Sequence, residues 1–166
     1  THHLAGSTGS QCVSCHMPRT TISLRHRMPD HTISVPVPEN TRRFGIPNAC
    51  NECHKDKNAE WSEARLTEWF PKGRRERTVE DAIAFTLGAK GDPSGEERLV
   101  RIAADPTRPP LIRANALGHL RNYQTAIATS ALLAAASEAH PVLRLAALLS
   151  LIDRGSNAEV RHALES

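Results

Sequence analysis

Two five-residue frames constrain this chain more than any other feature. Cys12-Val13-Ser14-Cys15-His16 and Cys50-Asn51-Glu52-Cys53-His54 hold all four cysteines, and a histidine follows each pair at once. Thiols three residues apart share one face of a helical turn. That spacing, closed by a histidine, is the pattern for covalent haem c, in which two thiols bond the two vinyl groups and the next imidazole reaches the iron. A structural zinc site, a pair of disulfides and redox-active dithiols are the competing chemistries. Zinc ribbons with paired Cys-x-x-Cys units usually hold about 15–20 residues between the pairs, whereas 34 separate Cys15 from Cys50. A four-cysteine zinc site also has no use for a histidine after each pair. The expectation is two haems c, attached through Cys12 and Cys15 and through Cys50 and Cys53, with His16 and His54 as proximal iron ligands.

Six of the nine histidines lie within residues 1–58, so His2, His3, His26 and His31 remain for two distal positions. Methionine is the other common distal ligand. Met17 follows His16 directly and is unable to reach around its own haem, which leaves Met28 as the alternative to bis-His coordination. Iron closed on both sides by imidazole transfers electrons rather than binding small substrates.

Composition divides the chain. Residues 1–58 carry 11 large apolar side chains, two alanines and five prolines, too few for a side-chain core. A haem is itself an apolar plate around which short loops can pack, as metals serve other small domains. Residues 75–166 carry 24 large apolar residues and 18 alanines, enough to fold unaided. The expected organisation is mainly α: a loop-rich dihaem module over 1–58, a helix and basic linker over 59–77, and HEAT-like helical repeats forming a solenoid over 78–166. Asn58 is expected to cap a helix carrying Trp61, Leu66, Trp69 and Phe70 and stopped by Pro71. Lys72, Arg74, Arg75 and Arg77 read as a solvated connection. Thr78 with Asp81 and Ser94 with Glu97 suggest capping boxes opening helices near 79–89 and 95–104.

An internal match then sets the repeat. Residues 110–120 (PLIRANALGHL) align with 141–151 (PVLRLAALLSL) at a shift of 31, with Arg113/Arg144, Ala116/Ala147, Leu117/Leu148 and Leu120/Leu151 coinciding. A period of this size signals stacked helical units. His119, His140 and His162 are expected to face solvent or helix ends. A stack ending at Ser166 shows no obvious polar cap, so further repeats or a partner subunit are expected to cover it.

The runs Gln11-Cys-Val-Ser-Cys-His-Met-Pro18, Asp30-His31 and 45–57 (GIPNACNECHKDK) resemble those of bacterial multihaem c-type cytochromes that join a haem-packing module to HEAT or TPR repeats. The likeness spans nearly the whole chain and is strongest over residues 1–61. It implies His3 and His31 as distal ligands, with His26 and His2 behind them. Members of that group usually carry a further attachment motif upstream, and this chain has none, which leaves the haem served by His2 or His3 open.

The function expected is electron transfer between redox partner proteins, among them other cytochrome chains or a larger complex, with the repeats docking the partner. The alternatives are a subunit of a multihaem oxidoreductase and a binding protein with structural haems. An enzyme needs an open iron site and nearby acid–base groups, and only Lys55 and Lys57 supply lysines near a motif. The net charge of +3 is too dispersed for nucleic acid, and no stretch is apolar and long enough to span a membrane. With no initiator Met or leader ahead of Thr1, the chain reads as processed or partial. Haem attachment outside the cytoplasmic membrane places it in the periplasm or beyond. The propionates are expected to pair with Arg19, Arg25, Arg27, Arg42 and Arg43.

Overall fold

The structure is a computed structural model that describes residues 2–23, 26–71, 75–154 and 158–165. Arg25, Lys72 and Arg74 lie outside the described residues. The chain divides into two compact units, Thr1–Val79 and Glu80–Ser166, and the division falls within helix α5 (Glu76–Lys90).

The first unit is built from short pieces, as its prolines dictate. A 3-10 turn at Thr8–Ser10 precedes α1 (Cys12–His16). The antiparallel hairpin β1 (Arg19–Ser23) and β2 (His26–Pro29) follows, with Arg19 opposite Pro29 and Thr20 opposite Met28. Helix α2 (Pro38–Phe44) starts on a proline at its first position and ends at Gly45, whose φ of +70° is the left-handed geometry of a helix terminus. The side chain of Asn48 accepts from the Cys50 and Asn51 amides and so opens α3 (Ala49–Cys53). Asn58 caps α4 (Ala59–Trp69) by accepting from the Trp61 amide, and the helix stops just before Pro71. Val37, Leu66 and Val79 are the large apolar side chains buried here among the described residues, a core as thin as the composition implies.

Helix α4 packs on α2 and α3. The helix expected from the Asn58 cap is therefore a wall of the first unit.

The second unit packs on side chains alone. It comprises α6 (Glu96–Ala104), α7 (Pro110–Leu120), α8 (Ala126–Ala136), α9 (Pro141–Leu151) and α10 (Ala158–Glu165), besides most of α5. The two segments matched at a shift of 31 form α7 and α9, equal in length and each opened by proline. Helix α9 packs on both α7 and α8. Leu99, Leu117, Leu120, Leu132, Leu143, Leu151 and Val160 are fully buried, each contributing about 1.5–3 kcal/mol. Among the described residues no helix is long and apolar enough to cross a membrane.

Two expectations about helix starts are corrected. Thr78 lies inside α5 rather than at its cap, because the helix begins at Glu76, and Asp81 instead pairs with the buried Arg108 together with Glu80. Asp92 rather than Ser94 organises the turn before α6: its carboxylate accepts from the Ser94 amide and hydroxyl. His119 lies in the last turn of α7 and is half-buried. It stacks on Phe85 with ring centroids 5.5 Å apart, and burial, then Arg121, hold its imidazole below the usual value. His140 does stand at the start of α9 with its side chain exposed.

Candidate functional site

Each cysteine pair lies on a single turn of helix, α1 or α3, so its two thiols share a face as the spacing requires. The two short helices pack on each other. Both frames consequently open onto one cavity of about 530 Å³, lined by Cys15, His16, Cys50, Cys53 and His54 and walled by Trp61, Leu66, Trp69 and Phe70 of α4 and its end. Cys12 is exposed, one turn before Cys15. All four thiols are free. Burial pushes the Cys15 thiol up, helped by Cys53 and Cys12. Burial and then Cys15 push Cys50 up, against a weaker downward pull from Ser62. Among the described residues, no three His, Cys, Asp or Glu side chains gather as a metal ion would require.

The two proximal histidines are held differently. His16 Nδ1 lies 2.9 Å from the Ser34 carbonyl; with Nδ1–H donating there, Nε2 is left as the free ligand nitrogen. Ile33 just before it has a φ of +49°, uncommon for a β-branched residue, in the turn that presents this carbonyl. The ring of His54 lies 4.9 Å from that of Trp61.

His3 faces His54 across the cavity, with ring centroids 6.0 Å apart and planes inclined by 32°. Metal-bound imidazole nitrogens sit about 2.0–2.1 Å from their metal, so two rings trans on one metal have centroids about 6 Å apart. The rings stand at that separation. Gly9 makes the position possible, since a Cβ there would meet the His3 ring at 2.5 Å. His2 also lines the cavity, but its ring lies flat on Trp69 at 3.9 Å and edge-on to Phe70.

His26 on β2 and His31 after it are exposed, and neither lines this cavity. His31 stands between Asp30 and Thr32, which line a second cavity of about 270 Å³ that also touches Cys15. The Asp30 carboxylate accepts from the Thr32 amide and fixes that turn. Met28 is half exposed on the hairpin.

Three of the arginines expected to hold propionates are paired with carboxylates of the protein. Arg27 pairs with Glu52, Arg42 with Glu63 at 3.7 Å and Arg43 with Glu39 at 2.7 Å, while Arg19 is exposed at the start of β1. Carboxylates close by in the fold satisfy these cations. The guanidinium groups at the cavity belong to Arg65 and Arg75. Arg65 carries no sequence signal for this role, and Arg75, read from sequence as part of a solvated connection, lines the cavity instead.

Sequence reading also missed Asn51. The Asn51 amide donates to the carbonyls of Lys57 (2.8 Å) and Asn58 (3.2 Å), and its oxygen accepts from Asn48 and from the Ser62 hydroxyl (3.0 Å). This clamp ties the second frame to α4. Asn51→Ala should destabilise the first unit by about 2 kcal/mol, since partly buried groups are left unpaired; a thermal midpoint equal to that of the parent chain would refute the clamp.

The site therefore offers the donor set a covalent haem needs: paired thiols on helical turns, adjacent imidazoles and an apolar cavity within the usual 300–1,000 Å³ of cofactor sites. Searches of curated proteins and of solved structures find no match to this chain. The family model for cytochrome c552 matches residues 2–87, just over half of the 166 residues and all of both frames. The chain belongs to the cytochrome c552 family, c-type cytochromes that carry covalently bound haem c and serve electron transfer.

Proposed function

We propose that the chain carries two haems c and relays electrons between redox partners. One haem is bound through Cys12 and Cys15 with His16 as proximal ligand, the other through Cys50 and Cys53 with His54. The observation that carries this reading is the shared cavity, lined by Cys15 and His16 of the first frame and by Cys50, Cys53 and His54 of the second, across which His3 faces His54 at 6.0 Å. His3 is the distal ligand of the His54 haem. His31 is assigned to the other, because the residues flanking it line the second cavity at Cys15. His26 and His2 are the reserve candidates, and His2 is better used as an aromatic spacer on Trp69.

Each bound haem supplies a one-electron couple, and the protein's part is to fix ligands and exclude water. The Ser34 carbonyl orients His16, Trp61 lies against His54, and Trp69 and Phe70 close the apolar side. His16 and His54, with His31 and His3 opposite, would hold the haem irons without an open site for a substrate, which favours a carrier or electron-transfer subunit. The second unit, with α7 and α9 repeating at a shift of 31, is a HEAT-like solenoid and a surface for docking other cytochrome chains or a larger complex. Haem attachment requires export, which puts the mature protein in the periplasm or outside the cell.

Intact mass and pyridine haemochrome titration test the stoichiometry. Protein from a maturation-competent host should exceed the polypeptide mass by two haem units. One haem or none per chain overturns the proposal.

A further inference from the structure

Resting on the two-haem reading, we propose that Arg65, with Arg75 at the same cavity, binds a propionate of the haem held by Cys50 and Cys53. Arg27, Arg42, Arg43 and Lys57 of this unit each have a carboxylate beside them, on Glu52, Glu63, Glu39 and Asp56. Arg65 differs. One of its terminal nitrogens meets Glu68 at 2.6 Å, but its Nε is buried and has no hydrogen-bond partner among the described residues. The side chain as a whole is 44% exposed and already meets Glu68, so what the position lacks is an acceptor for the buried Nε–H, whose absence is destabilising. A carboxylate approaching the fork would take Nε–H and a second N–H together in bidentate fashion.

Position along α4 says which part of the cofactor this is. Trp61, Arg65 and Trp69 recur at intervals of four, so they share one helix face, and all three line the cavity. Trp61 is the residue against His54. Arg65 lies one turn on, about 6 Å along the axis, beyond the iron ligand and toward an edge of any plate lying in the cavity. The carboxylates of haem c are at such an edge. The charged and titratable groups around Arg65 are Glu63 and Glu68 on its own helix, Arg42 from α2, His54 from the end of α3, and His2, His3 and Arg75 around the cavity.

The test uses the holoprotein, with spectroelectrochemistry for the potentials and resonance Raman for the propionate bending band. A cation favours the reduced haem. A unit charge roughly a nanometre away at an effective permittivity near 20 changes a one-electron equilibrium by about tenfold, equivalent to about 59 mV. Arg65→Gln should therefore lower the midpoint of one haem by about that amount and shift its propionate band. Arg65→Lys should keep most of the potential, because the charge stays, yet still shift the band, because the fork is lost. Glu68→Gln should leave the band in place. An unmoved band in Arg65→Gln, or the same shift from Glu68→Gln, overturns the assignment. Haem counting on the same samples separates the two failures: fewer than two haems in the parent chain defeats the underlying reading, whereas two haems with an unmoved band defeats Arg65 alone.

Discussion

Replacing His3 by alanine should turn one of the two haems from low spin to high spin and open it to carbon monoxide, while the other stays unchanged. The expectation follows from the cavity, in which His3 is the imidazole that faces His54 at the separation two trans ligands require. Removing it leaves an axial position open at one iron, so about half of the haem absorbance should change. His2→Ala is the comparison. Its ring is stacked on Trp69 rather than aimed across the cavity, so spin state should hold. Gly9→Ala should weaken the same haem as His3→Ala, and less completely, since an added Cβ would come within 2.5 Å of the His3 ring and displace it. Magnetic circular dichroism of the oxidised protein reads the spin state directly, and an unchanged spectrum in His3→Ala would remove His3 from the coordination set.

The chemistry of the site was legible in sequence because it is local. Cys-x-x-Cys-His needs one turn of helix, and α1 and α3 supply one each. Helix starts with a proline or asparagine signal, at Pro110, Pro141 and Asn58, also fall where the residues suggest. What sequence does not carry is which distant residue satisfies which group. Arg27, Arg42 and Arg43 look equally suited to a propionate until Glu52, Glu63 and Glu39 arrive beside them. Asp81 reads as a cap because Thr78 stands three residues before it, but Arg108, far along the chain, claims the carboxylate. The hairpin from Arg19 to Pro29 was not anticipated either, since its residues alternate too briefly to register as strands.

The same kind of long-range pairing produces the largest stability effect expected outside the haem region. Arg154 carries no pattern signal, yet it is 5% exposed in the second unit. Its terminal nitrogens donate to the Leu120 carbonyl at 2.9 Å, to the Tyr123 carbonyl, and to the Thr129 hydroxyl at 2.5 Å. Leu120 ends α7, where the helix dipole is negative, and its carbonyl accepts from the Tyr123 amide at 3.1 Å as well as from Arg154. Thr129 lies in the first turn of α8, and one cation thus fastens the turn between two packed helices. Burial lowers the affinity of Arg154 for its proton, but a guanidinium stays charged throughout the neutral range. Arg154→Met keeps much of the volume and removes every donor. Two carbonyls and a hydroxyl would then be left without this partner in a site closed to water, costing about 3–5 kcal/mol. Arg154→Lys should recover only part of this, since one ammonium lacks the fork needed to reach both carbonyls and the hydroxyl together. Urea denaturation followed by far-ultraviolet circular dichroism measures the difference. A midpoint for Arg154→Met within error of the parent chain would mean that water or a shifted side chain satisfies those carbonyls equally well.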